Sequence, residues 1–199
     1  MATEPEGARS QPDWDGLFAV AQAQSGYFTT AQAMRSGYSR PLLHKYVAAG
    51  RMSRVRRGVY RLVHFPVSEH EDLVVLWLWA GQLGVFSHET ALALHDLSDA
   101  LPGKVHMTVP SGWRRRRLRV PAGLVLHFAD LGEGDLARYS AVRVTAPFRT
   151  LRDCIEAEVA HDHVRQGVLQ ARRRGLVSAK DEARLLAELG SRGRTAAAR

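Results

Sequence analysis

The chain has 199 residues, 45% of them hydrophobic, with 28 Lys and Arg against 20 Asp and Glu and a formal net charge of +8; it is ordinary for a globular protein and long enough for one domain or two small ones. One cysteine, Cys154, excludes an internal disulfide framework and fits a reducing cytoplasm. The polar opening MATEPEGARSQP is no signal peptide, and the most apolar run, Leu73–Phe86, is broken by Gly and Gln and too short to span a bilayer.

Residues 1–12, rich in Glu, Pro, Gly and Ser, read as a disordered leader. From Asp13 the apolar positions Trp14, Leu17, Phe18, Ala21 and Ala23 recur at helical spacing and stop at Ser25-Gly26. Thr29-Thr30-Ala31-Gln32 fits a capping box and opens a two-turn helix that ends at Arg35. Ser36-Gly37-Tyr38 is a break, and Ser39 caps a third helix with Pro41 in its first turn and its end at Ala49-Gly50. Two helices joined by a short turn containing Gly are the helix-turn-helix layout. Two β-prone runs, Met52–Val55 and Val59–Leu62, then flank Arg56-Arg57-Gly58 and predict a hairpin, the wing of a winged helix.

Beyond Pro66 the pattern changes. Ser68–Leu83 predicts a buried helix with Trp77 and Trp79 near its centre, and Ser87–His95 a shorter one capped by Ser87. Lys104–Val109, Leu124–Phe128 and Val142–Thr145 alternate like strands, and the basic loop SGWRRRRLRVPAG lies between the first two. Helices are predicted from Pro147 to about Glu158, over His161–Arg174 and over Ala179–Leu189. The reading is an α+β chain: a winged helix-turn-helix over 13–66, a mixed α+β domain over 67–190 and a polar tail over 191–199.

Charge is distributed unevenly along this plan. No Asp or Glu occurs from Gly16 to Ser68, and residues 26–62 hold eight Lys and Arg. Without those eight the chain would carry 20 basic and 20 acidic residues. A localised positive field points to a polyanion, nucleic acid first and an anionic membrane surface second. In the third helix Leu42, Leu43, Tyr46 and Val47 share one face, while Arg40, Pro41, His44, Lys45 and Ala48 share the other. Such a helix fits the major groove, where Arg40 can make two bonds to guanine and His44 and Lys45 can reach bases or phosphates. Arg51, Arg54, Arg56, Arg57 and Arg61 crowd the hairpin, which suits a wing lying on the backbone or in the minor groove. Thr29, Thr30 and Ser39, at the helix starts, complete the expected DNA-contacting set. Arg114, Arg115, Arg116, Arg117 and Arg119, beside Trp113, form a second basic surface. It could meet phosphates, an RNA or an acidic protein, or be a mobile charged loop.

Enzyme signals are weak, and no catalytic residue, metal ligand or cofactor is assigned. His88-Glu89 has Leu92 where a zinc-binding HExxH needs its second His. His88, His95, His161 and His163 read as core or surface histidines, and Cys154 as a buried inert thiol. No phosphate-cradling, dinucleotide-binding or CxxC motif occurs.

The order GYFTTAQA, then GYSRPLLHKYVAAGRMSRVRRGVYRL, resembles the N-terminal winged helix of AbiEi-type antitoxins of bacterial type IV toxin–antitoxin systems. SHETALALHDL, KVHMTVP and VTAPFRTLRDCI resemble that family's C-terminal antitoxin domain, so the likeness spans about residues 13–190. The resemblance implies a repressor that binds operator repeats in double-stranded DNA through its first domain. Its second domain would neutralise a cognate nucleotidyltransferase-like toxin. The lone cysteine and the weak enzyme signals add the expectation of a cytoplasmic protein without catalytic activity. Alternatives are a stand-alone regulator without a toxin, or a module that binds RNA or protein.

Overall fold

A computed structural model of the chain describes residues 11–99 and 101–197, with side chains described up to residue 192. Most of the expected leader, up to residue 10, lies outside these residues. The protein is α+β and divides into two units, one ending at Gln82 and the other beginning at Leu83.

In the first unit α1 (Trp14–Gln22) starts where the Asp13 carboxylate accepts the Gly16 N–H at 2.8 Å. A three-residue strand, β1 (Tyr27–Thr29), follows and leads directly into α2 (Thr30–Arg35). The capping box is formed in both directions. Thr29 Oγ1 accepts the Gln32 N–H at 3.2 Å, and Gln32 Oε1 accepts the Thr29 N–H at 2.7 Å. Gly37 makes the turn at φ +80°, a conformation that side chains resist, and Ser39 caps α3 (Arg40–Ala48). β2 (Met52–Arg56) and β3 (Val59–Leu62) form the hairpin, and β1 adds to it in the antiparallel order β1-β3-β2.

Leu17, Phe28, Tyr38, Leu43 and Met52 are buried between these helices and the sheet, and Phe28 stacks on Tyr60 at 5.8 Å between ring centres. Each large side chain taken from water contributes roughly 1.5–3 kcal/mol. The strand β1 was not expected from the sequence; its three residues are too few for alternation to show.

The buried helix expected over Ser68–Leu83 is shorter, α4 (Glu71–Trp79), because Gly81 and Gln82 take left-handed φ values and end it. It also belongs to the first unit, so the boundary expected at residue 66 falls after Gln82 instead. Polar bonds account for this attachment. Tyr27 Oη donates to Glu71 Oε2 at 2.7 Å, and Gln82 Nε2 donates to Gln24 Oε1 at 2.7 Å.

The second unit holds β4 (Val85–Phe86), α5 (His88–Leu94), β5 (Val105–Val109), β6 (Leu124–Phe128), β7 (Leu136–Tyr139) and β8 (Val142–Thr145). Three helices follow: α6 (Pro147–Glu156), α7 (His161–Arg173) and α8 (Ala179–Ala197). The sheet order is β6-β5-β4-β8-β7, with β5–β6 and β4–β8 parallel and the other two pairs antiparallel. Leu92, Leu97, Leu151, Val164, Val168 and Leu185 pack between the helices. A Cβ on Gly167 would stand 2.9 Å from Leu151 Cδ2, 3.1 Å from Leu92 Cδ1 and 3.2 Å from the Leu97 carbonyl oxygen, so any larger residue would force these neighbours to give where α7 packs. Cys154 is fully buried there, and burial pushes its thiol up, out of the reactive range.

Two expectations are corrected. Ser87 makes no side-chain cap; its Oγ accepts from Thr108 Oγ1 at 2.8 Å instead. The tail expected from residue 191 is helical as far as Ala197, where α8 ends.

The sheet also assembles a histidine stack. His88, buried at φ +53°, lies 3.5 Å from the His127 ring centre. His106 Nδ1 and His127 Nε2 stand 3.0 Å apart, and His106 Nε2 is 3.4 Å from Glu89 Oε2. Burial, with the neighbouring His127, His106 and Arg149 adding, pushes His88 down to about 3. Burial and His106 push His127 down to about 4. His106 is also lowered, by burial and Lys104 against the opposing Glu89.

These groups fold neutral and take up protons only on unfolding. Their stabilisation is therefore complete above the ordinary histidine value of 6.5 and is lost as pH falls below it. The loss runs up to about 1.4 kcal/mol per pH unit for each group. The midpoint of urea unfolding should drop between about pH 7 and about pH 5, and drop less in His127→Phe. A midpoint that stays level through that window contradicts a neutral stack.

Candidate nucleic-acid interface

The helix-turn-helix turns one face of α3 outward. Arg40, Pro41, His44, Lys45 and Ala48 are exposed, while Leu43 is fully buried and Leu42, Tyr46 and Val47 are partly buried. At about 100° per residue, Arg40, His44 and Lys45 fall within one arc of about 140°, opposite Leu42 and Leu43, and so all three reach solvent. Ser39 is exposed and its Oγ accepts the Leu42 N–H at 3.4 Å, so its own hydroxyl proton remains free to donate.

The wing is exposed at Arg54, Val55, Arg56 and Arg57. Its register slips between Arg54 and Arg56, so β2 carries one extra residue, Val55, in a bulge. Gly58 closes the tip at φ +80°, and its carbonyl accepts the Thr30 N–H at 2.9 Å. The start of α2 therefore holds the wing tip. Thr29 and Thr30 are partly buried and serve this framework, Thr29 through its cap and Thr30 through its bond to the tip. Arg51 lies 5.7 Å from the Tyr46 ring centre, which leaves the rim of its guanidinium open. Among the described residues, Arg40, Lys45, Arg51, Arg54, Arg56 and Arg57 form no ion pair.

Arg61 differs from the rest of the set. Its Nη2 donates to the Phe65 carbonyl at 2.8 Å and to Glu71 Oε1 at 3.1 Å, and only 15% of its side chain is exposed. Its guanidinium lies 5.7 Å from the Tyr27 ring centre. Burial and then the Glu71 hydrogen bond push the Tyr27 phenol up to about 12, so it stays a donor. Burial would raise Glu71, but hydrogen bonds from Tyr27, the Ser68 N–H and Arg61 outweigh it and lower the carboxyl. Arg61 is thus a structural cation and not part of the free basic surface. Glu71 and Tyr27 were missed in the sequence; the one available signal was that carboxylates resume at Glu69 and Glu71, where the acid-free stretch ends.

The second basic surface lies in the other unit. Arg114, Arg115, Arg116, Arg117 and Arg119 are all exposed on the connection from β5 to β6. Of the histidines weighed as ligands, His95 bonds the Thr145 carbonyl at 2.7 Å, while His161 is exposed. Among the described residues no group of three or more His, Cys, Asp or Glu is arranged to hold a metal ion. None of the described helices is long and apolar enough to cross a membrane.

Residues 17–63, from α1 to just beyond β3, match a family model described as transcriptional regulator, AbiEi antitoxin. This is the family that the sequence motifs resemble. No curated protein matches the chain. A crystal structure of the RV2827C protein from Mycobacterium tuberculosis is similar at 13% identity and a TM-score of 0.42, covering 91% of this chain and 83% of that one.

The split between free and structural arginines can be measured without any ligand. Arg61→Ala should cost about 1–3 kcal/mol of stability, because it strands a partly buried carboxylate. Arg56→Ala and Arg57→Ala should each stay within about 0.5 kcal/mol of the parent. Urea unfolding of the three variants checks this, and equal losses at all three positions would show the distinction to be wrong.

Proposed function

We propose that the chain is a sequence-specific DNA-binding repressor of the AbiEi antitoxin kind, acting on operator repeats near its own gene in the cytoplasm. The observation that carries this reading is the free basic face of Arg40, His44 and Lys45 beside the unpaired wing arginines, inside the segment that matches a transcriptional-regulator family. In this reading α3 enters the major groove. Arg40 presents two donors to guanine, and Lys45 and His44 bond base edges or phosphates. Arg54, Arg56 and Arg57 on the wing meet the backbone or the minor groove, with Arg51 and Ser39 donating to phosphates at the flanks.

The second unit would counteract a nucleotidyltransferase-like toxin. That part rests on the resemblance of SHETALALHDL, KVHMTVP and VTAPFRTLRDCI, since the family match ends at residue 63. The same limit favours a second reading, a stand-alone regulator with no toxin partner.

Arg40→Ala should weaken operator binding by about 1–3 kcal/mol and relax base preference, whereas Arg56→Ala with Arg57→Ala should weaken all duplexes alike. Mobility shifts on the upstream promoter and on random duplex test this; equal affinity of the parent protein for both rules out specific recognition. In cells, full-length Arg40→Ala/Lys45→Ala should lose repression of a promoter reporter yet still rescue growth from constitutively expressed toxin. Loss of rescue in that variant would argue against two separable jobs.

A further inference from the structure

The second unit contains an acid-free stretch of its own. No Asp or Glu occurs between Asp99 and Asp130, a span that includes Lys104 and the five arginines of the β5–β6 connection. Because β5 and β6 are parallel, with Val105 paired to Leu124, the chain must travel back the length of β5 before β6 begins. The arginines lie on that return. It opens with a short 3-10 turn, Ser111–Arg115, whose first residue is anchored to Asp130: the Ser111 N–H and hydroxyl both donate to the carboxylate.

Two of the guanidiniums are held by rings. Arg116 lies 4.8 Å from the Trp113 ring centre, and Arg114 lies 5.6 Å from that of Phe128. A ring binds the flat face of a guanidinium and leaves its N–H rim free, whereas a carboxylate would occupy that rim. Among the described residues none of the five arginines makes an ion pair. The loop thus fixes cations in place while keeping their donors open.

The chemistry of the occupant follows from what the loop lacks. A protein partner is gripped by buried apolar anchors as well as charge. Here the exposed large hydrophobic on the return is Val120 alone among the described residues, against five arginines. Planar bidentate donors in a row suit phosphates, and arginine over aromatic rings suits nucleic acid. We propose that the Arg114–Arg119 loop is a second nucleic-acid contact, one that grips the sugar–phosphate backbone without reading sequence. It stands on residues outside the segment that carries the repressor reading.

The test uses the full chain and fluorescence anisotropy, with the upstream promoter duplex, random-sequence duplex DNA and single-stranded RNA as probes. One variant, Arg115→Ser/Arg117→Ser/Arg119→Ser, keeps both ring-held arginines and so keeps the local structure. A second changes all five to Ser. The triple variant should bind random duplex or single-stranded RNA about tenfold more weakly, with the log–log salt slope reduced by about 2 to 3 between about 50 and 200 mM salt. The fivefold variant should lose more, and the ratio of operator to random affinity should hold steady in both. Unchanged affinity and slope in both variants overturn the proposal. So does a polyglutamate peptide that binds as tightly as the duplex and depends on the same arginines. Failure of the repressor reading looks different: an operator-to-random ratio near one in the parent protein, whatever the loop does.

Discussion

Apolar packing holds like charges together in the first unit, and its other features depend on that constraint. Two guanidiniums about 8 Å apart in water repel by about 0.5 kcal/mol, and salt weakens this further. A single core side chain such as Phe28 or Leu43 contributes roughly 1.5–3 kcal/mol. Packing therefore sets the backbone, and the surface arginines are carried along at a tolerable cost. The balance shifts only where a guanidinium leaves water. At Arg61 it does, and there Glu71 and the Tyr27 ring are waiting. Carboxylate appears where burial demands it and is missing where solvent can do the screening.

The second unit meets the same problem differently. Its exposed arginines rest on Trp113 and Phe128 and do without an acid partner. Among its buried titratable groups, His88 and His127 stay neutral because burial disfavours their charge and their rings stack 3.5 Å apart, while the buried Asp153 carboxylate accepts from Arg149 Nε at 2.7 Å. Each unit thus avoids placing an unpaired charge in its interior, and each keeps cations on its outside.

Whatever was written locally could be read from the sequence. The Thr29–Gln32 capping box, the Ser39 cap and the two faces of α3 involve residues within a turn of one another, and all are present. The strands β1, β4 and β7, of three, two and four residues, were not legible, because pairing with distant strands defines them. Arg61 was legible as a charge but not as a structural one, since its partner lies ten positions on, in a helix assigned to the wrong unit. The histidine stack joins residues 106 and 127 through the pairing of β5 with β6, and residue 88 through β4, which pairs with β5, and no local pattern announces either pairing.

The bond from the Thr30 N–H to the Gly58 carbonyl has a kinetic side. A wing tied at its tip has already surrendered its conformational freedom during folding. Under the proposed function, a polyanion arriving at α3 and the hairpin would not have to order a loop, so little of its binding free energy would go into entropy at the moment of contact. The encounter is then governed by diffusion and by the long-range pull of the charged face, which rises as ionic strength falls. Lifetime, by contrast, is set by how many of the fixed donors find acceptors at once. In the proposed complex with DNA, the tether would make this surface quick to engage and leave discrimination to the rate at which mismatched duplexes dissociate.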